Sequence, residues 1–196
     1  MTAYLSYPQS DIEPAIDTAE LANWLVVPVT DPLLPRIARM ASAIGVEYLQ
    51  RELITRERRV IYQTWPVIGT LTDGLSGRTA KLSEHITLPY AQLLSVEDVA
   101  INGEATEDFG IVYDSPVKLR VNPVFDSSDS LPVIDIAYMA GFGDYISSVP
   151  QGIRDGLMML AAYLYEHRGA CDVDDAIKKS GAAQMLQPYR FFAVVL

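Results

Sequence analysis

Apolar residues recur at steps of three and four through the stretch Val149 to Gly169: Ile153, Leu157, Leu160, Ala161, Leu164 and Tyr165 fall on one face of an α-helix. Met158, Met159, Ala162 and Tyr163 add apolar surface on the opposite side, so the helix is apolar nearly all round from Leu157 to Tyr165. A helix of that kind sits in a core or between subunits. Ser148 as N-cap with Gln151 three residues on, Pro150 in the first turn and Gly169 after Arg168 mark its ends.

Two more helices are predicted upstream. Asp17 opens one, with Glu20 completing a capping-box pattern, an apolar face of Leu21, Trp24 and Leu25, and Pro28 as its stop. Thr30 or Asp31 caps the second, with Pro32 in its first turn. Leu33, Leu34, Ile37, Met40, Ala41, Ile44 and Tyr48 line one side of it, while Arg36, Arg39, Glu47, Gln50 and Arg51 line the other, to an end near Leu53. The texture then turns to short β-like runs: Arg59 to Trp65, His85 to Leu88, Leu94 to Ile101, Ile111 to Tyr113, Val117 to Val121 and Val133 to Met139. Asn102-Gly103 is a two-residue hairpin signal, and the glycines of residues 66–77 mark a loop or wide hairpin. Five to seven antiparallel strands are expected. After Gly169, Asp174 or Asp175 starts one or two helical turns through Met185, which Pro188 ends.

The pattern predicts an α+β fold: a small helical core, two N-terminal helices plus a long C-terminal helix, with an inserted antiparallel β block. The corresponding division is an irregular N-terminal arm at 1–16, a helical core at 17–53 and 147–187, the β insertion at 54–146 and a tail at 188–196. That tail, Pro188, Tyr189, Arg190, Phe191, Phe192, Ala193, Val194, Val195 and Leu196, is too apolar to float in water, so it packs on its own domain or on another molecule.

Composition narrows the classes. With 196 residues, 49% of them apolar and 20% charged, the chain can bury a real core and is globular rather than disordered. A net charge of −10 argues against a surface that grips the phosphate backbone, though not against DNA passing nearby. Cys171 is the single cysteine, so no internal disulfide forms and the thiol is compatible with a reducing cytoplasm. No signal-peptide pattern and no membrane-length apolar run are present, which leads us to expect a soluble intracellular protein without a membrane partner.

No catalytic constellation emerges. His85 and His167 lie in different elements without ligand spacing, and His167, Cys171, Asp172, Asp174 and Asp175 lack the glycine turn and distal glutamate of a calcium loop, so the acids read as helix caps. Gly141-Phe142-Gly143-Asp144 has no third glycine and no lysine-hydroxyl pair, and reads as a turn. Ser76 has no nucleophile elbow, and Arg56, Arg58 and Arg59, flanked by Glu52 and Glu57, read as a solvated strand face. No cofactor or metal is expected.

Several short motifs stand in a particular order: Ala43-Ile44-Gly45-Val46-Glu47-Tyr48-Leu49-Gln50-Arg51, Tyr62-Gln63-Thr64-Trp65, Ala140-Gly141-Phe142-Gly143-Asp144 leading to Val149-Pro150, Tyr165-Glu166-His167-Arg168, and Leu186 with Pro188-Tyr189-Arg190. In these the chain, from about Asp17 to Arg190, resembles the head-tail connector (adaptor) proteins of long-tailed double-stranded DNA bacteriophages. The resemblance implies a non-enzymatic virion protein at the head-tail interface, made in the host bacterial cytoplasm. It implies a homo-oligomeric ring of twelve beneath the portal protein, joined to a stopper or tail-completion protein and lining a channel through which double-stranded DNA passes without sequence-specific binding. On that reading residues 188–196 dock on the portal, and Met158, Met159, Ala162 and Tyr163 contact a neighbouring subunit. The alternatives are another head-completion or tail-completion protein, such as a stopper, for which three helices are unexpected, or a small-ligand binding module.

Overall fold

The computed structural model describes residues 3–6, 13–63, 67–68, 81–82, 84–90, 92–113, 117–122, 133–167 and 172–191. The fold is α+β, and the chain divides into two compact units: Met1–Pro8 with Glu57–Met139, which carries the sheets, and Gln9–Arg56 with Ala140–Leu196, which carries the helices.

In the β unit, β1 (Ala3–Ser6), β2 (Arg56–Tyr62), β10 (Ile134–Ala140), β6 (Leu93–Ile101) and β7 (Glu104–Ala105) form one sheet in the order β1-β2-β10-β6-β7. β5 (His85–Thr87), β9 (Lys118–Val121) and β8 (Phe109–Val112) form an antiparallel sheet in the order β5-β9-β8, and β3 (Val67–Ile68) pairs with β4 (Lys81–Leu82). Residues 3–6, expected to be irregular, pair antiparallel with β2 in the register Ala3↔Tyr62 to Ser6↔Arg59. The described residues hold ten strands rather than five to seven, because β1, β3, β4 and β7 span only two to four residues, too few to show an alternating pattern. The Asn102-Gly103 turn joins β6 to β7 with both residues at positive φ, 53° and 84°, the geometry that a two-residue hairpin requires.

Alternation in β2 corrects the reading of the arginines. Arg59 faces solvent and pairs through its Nε and Nη2 with the two carboxylate oxygens of Asp135, while Arg58, expected on the solvated face, is buried with its guanidinium 4.5 Å from the centre of the Tyr90 ring. Tyr62 and Tyr138, also pointing inward, donate their hydroxyls to the carbonyls of Thr87 and Pro89. Strands of the five-stranded sheet are thereby tied to the end of β5, around a core of Val60, Ile86, Leu88, Val99, Leu119, Ile134 and Ile136.

In the helical unit, α1 (Thr18–Leu25) begins as expected: Asp17 accepts the N–H groups of Ala19 and Glu20 at 2.6 and 3.4 Å. Its buried residues are Leu21 and Ala22, whereas Trp24 points outward. α2 (Leu34–Leu49) starts later than predicted, with Pro35 rather than Pro32 in its first turn and no side-chain cap; Asp31 instead accepts the Leu33 N–H just ahead of it. It ends at Leu49, with Gln50 in the left-handed region, four residues short of the expected stop at Leu53. Its buried face, Leu34, Ile37, Ala38, Ala41, Ser42, Gly45, Val46 and Leu49, leaves Met40 at the surface.

α3 (Gln151–Glu166) follows a 3-10 turn at Ile146–Ser148. Ser148 does not cap it, for the hydroxyl lies against Gly143, and Pro150 occupies the N-cap position. α4 (Val173–Lys179) is capped by Asp172, α5 (Ala182–Leu186) begins after Gly181 at φ 79°, and a 3-10 turn, Gln187–Tyr189, contains Pro188. Gly169 lies outside the described residues.

Gly141, at φ 147°, brings its Cα against residues 54 and 55 of the segment after α2: a β-carbon there would stand 2.6 Å from the backbone of Thr55. Two hydrogen bonds hold the approach, Phe142 N–H to Leu53 O at 3.1 Å and Thr55 N–H to Gly143 O at 3.0 Å. Gly141→Ala is therefore expected to cost about 3 kcal/mol in urea unfolding, since backbone cannot yield as a side chain can. Gly110→Ala, where a β-carbon meets nothing within 4 Å, stays within about 1 kcal/mol of wild type.

Burial pushes the Tyr62 phenol up from 10.0 to about 12. The neutral form is favoured in the folded state, so this stabilisation is fully present below pH 10 and is lost as the pH rises towards 12. At about 1.4 kcal/mol per pH unit, on the order of 3 kcal/mol disappears across that window. Alkaline unfolding of Tyr62→Phe, compared with wild type, should lack this component.

Candidate assembly surface of the helical unit

α3 is enclosed by its own chain. α2 lies on one side, where Gly45 leaves room for the Leu157 side chain; a β-carbon at Gly45 would overlap the Leu157 δ-methyl. α5 lies on another, with Leu186 against Gly156 and Tyr189 against Gly152, where a β-carbon would stand 2.9 and 2.7 Å from those side chains. Two turns of α3 thus present glycine to the segment that follows α4, which allows close packing. The hydroxyl of Tyr165 donates to Asp31 at 2.6 Å, fixing the far end of α3 to the connection between α1 and α2.

This enclosure changes the reading of the second face. Met158, expected to contact another subunit, is 4% exposed and buried within its own unit, because α3 is covered from several sides at once. The methyl of Met159 approaches Gly181 at the start of α5. Ala162 and Tyr163 are half-buried, and the Tyr163 ring stacks on His167 at 4.0 Å.

The first part of the tail is also tied down. Pro188 is exposed and Tyr189 half-buried in its glycine seat; the Arg190 guanidinium lies 4.8 Å from the centre of the Tyr48 ring, and that of Arg51 lies 5.5 Å from the centre of the Phe191 ring. The Phe191 N–H donates to the Leu49 carbonyl at 2.8 Å, satisfying one of the acceptors that the end of α2 leaves open. Arg190 and Phe191 are therefore anchored at the C-terminal end of α2, and Tyr189 at the start of α3. Phe192, Val194, Val195 and Leu196 lie outside the described residues.

Three of the candidate residues, His167, Asp172 and Asp175, take structural roles. His167 caps α3, with Nδ1 3.0 Å from the Tyr163 carbonyl, and His85 is exposed on β5 in the β unit. Asp172 caps α4 by accepting the Asp174 N–H at 2.9 Å, and Asp175 pairs with Lys179 at 2.7 Å, which lowers the Asp175 carboxyl below its ordinary range. Among the described residues no three acids, histidines or cysteines gather where they could hold a metal. Cys171 and Ser76 lie outside those residues. Between Gln92 and Tyr113 stand five acids, Glu97, Asp98, Glu104, Glu107 and Asp108, all exposed and with no lysine or arginine among them. None of the helices described is long and apolar enough to cross a membrane.

If the ring contacts and the Leu49 bond form a latch, removing them should loosen only the end of the chain. The double variant Arg190→Ala/Phe191→Ala is expected to lose amide-exchange protection in a peptide covering 187–191, with a fall in global stability of about 1–2 kcal/mol. Unchanged protection in that peptide would show that the anchoring lies elsewhere.

No protein-family model matches the chain, and no curated protein matches it in sequence. Its fold is similar to that of chains in three solved structures of gene transfer agent particles, each match covering 100% of this chain and 98% of the other. These are the neck of the native particle computed with C12 symmetry (TM-score 0.68, 20% identity), the neck of the empty particle computed with C6 symmetry (0.67, 19%) and the virion of the native particle (0.61, 18%). At these identities the likeness is one of fold: this α+β fold is similar to that of chains found in the neck of a gene transfer agent particle.

Proposed function

We propose that the chain is a structural neck protein of a tailed phage or phage-like particle, present as a ring of twelve copies between the DNA-filled head and the tail. The observation that carries this is the fold likeness along the full chain to chains from necks with C12 and C6 symmetry. The ordered motifs that resemble phage head-tail adaptors support the same reading. In this role the protein contacts the portal on one side and a stopper or tail-completion protein on the other, and it works by shape and contact rather than by catalysis.

Two features acquire a use on this reading. The tail extends from the latch at Phe191, so Phe192, Val194, Val195 and Leu196 engage an apolar groove on the portal while Pro188, Tyr189, Arg190 and Phe191 form its stem. The excess of acids lets double-stranded DNA pass without binding, because like charges deny the phosphate backbone a counterion-releasing contact.

Electron microscopy of the protein with its portal should reveal a ring of twelve. Truncation after Phe191 should leave the circular dichroism spectrum and thermal midpoint unchanged, yet abolish portal attachment. Monomers alone in the presence of portal would overturn the ring; undiminished attachment of the truncated chain would overturn the tail's role.

A further inference from the structure

α3 separates two layers of the helical unit. α1 and α2 pack on each other and on α3, as do α4 and α5, but no substantial packing joins either of the first pair to either of the second. Each layer carries apolar side chains that the described residues leave uncovered. On the first these are Trp24, Val26 and Val29, at 59%, 90% and 60% exposure, with Met40; on the second they are Val173 and Met185.

Val26 sets the first group apart from scattered surface residues. Its backbone lies in the left-handed region, at φ 56° and ψ 44°, closing α1 with bonds from the Val26 N–H to the Asn23 carbonyl at 3.3 Å and from the Val27 N–H to the Ala22 carbonyl at 3.0 Å. Such a closure ordinarily uses glycine, and a β-branched side chain is strained there. Here a valine holds that position with its isopropyl group pointing into solvent. Strain that serves no packing within the unit is a reason to look for packing outside it.

Each layer also carries a local charge patch. α2 exposes Arg36 and Arg39 outside its apolar face, whereas the cap and first turn of α4 expose Asp172 and Asp174 beside Val173. The contrast is local, since α1 also exposes Glu20 and α4 ends in Lys178 and Lys179. A cyclic ring needs two different, mutually complementary surfaces on every copy, and these two patches differ in position and in local charge.

We infer that the Trp24, Val26 and Val29 surface of one copy docks on the Val173 and Met185 surface of a second copy, with Arg36 and Arg39 facing the acidic start of α4. The inference rests on the ring reading above and names the faces that form it. The strained cap becomes an intersubunit knob, and α3 is the spacer that sets the two contact faces apart.

The test uses full-length chains with Cys171→Ser as background. Val26→Cys and Met185→Cys variants, mixed in equal amounts at high concentration and mildly oxidised, should give a mixed disulfide dimer in about tenfold excess over either homodimer. Both substitutions in one chain should give a ladder that ends in a closed ring. Comparable yields of all three dimers, dominance of either homodimer, or no cross-link where the wild type forms rings under the microscope would overturn the choice of faces. Independently, Val26→Gly should keep or raise the thermal midpoint while weakening ring formation about tenfold; rings as stable as wild type would overturn the knob. A chain that forms no ring at any concentration, alone or with portal, would remove the ring reading itself, and this docking with it.

Discussion

A helix that is apolar nearly all round must be covered on every side, and this requirement on α3 organises the helical unit. A single neighbouring helix can cover only a stripe. α2 and α5 therefore approach from different directions, each through a glycine that permits close contact: Gly45 against Leu157, and Gly156 against Leu186. The chain after α4 turns back along α3 because a bare face awaits it. The path of Gln187–Tyr189, with Tyr189 seated on Gly152, then carries Phe191 to the open carbonyl of Leu49. One burial constraint thus runs from the centre of a helix to the point at which the tail leaves the unit.

The β unit is held by a different device. Its sheets share an apolar core, but the end of β5 is fixed by polar groups: the Tyr62 and Tyr138 hydroxyls donate to the carbonyls of Thr87, the last residue of β5, and Pro89, and Arg58 covers the ring of Tyr90, itself in the left-handed region at φ 54°. Buried hydroxyls need partners, so their hydrogen bonds allow few alternative registers for the segment from β5 to Tyr90. Outside that core the unit is acidic over residues 92–113.

Most elements were legible because their signals are local. Asp17 ahead of α1, Asn102-Gly103 between β6 and β7, and the alternation in β2 and β10 owe little to distant residues. Misreadings arose where a contact from afar chose between local options. Asp31 was a plausible cap but serves the Asx turn before α2 and the Tyr165 hydroxyl; Ser148 was another but lies against Gly143. Arg58 looked like part of a solvated basic run, since no local signal says that Tyr90 waits to cover it. For the assembly surface, periodicity identified Met158 and Met159 as surplus apolar surface, whereas the exposed set proves to include Trp24 and Val26, which sequence spacing assigns to a helix face and a helix end.

The sequence by itself determined the α+β class, the order of the principal elements and the apolar cylinder of α3, because these follow from side-chain period and turn chemistry within a few residues. Tertiary structure decided which apolar residues are used up by the chain itself. Burial is a property of the space around a side chain, and that space is shared with residues far away in sequence: Leu186 and Gly181 cover the side of α3 that looked free, and nothing among the described residues covers Val26.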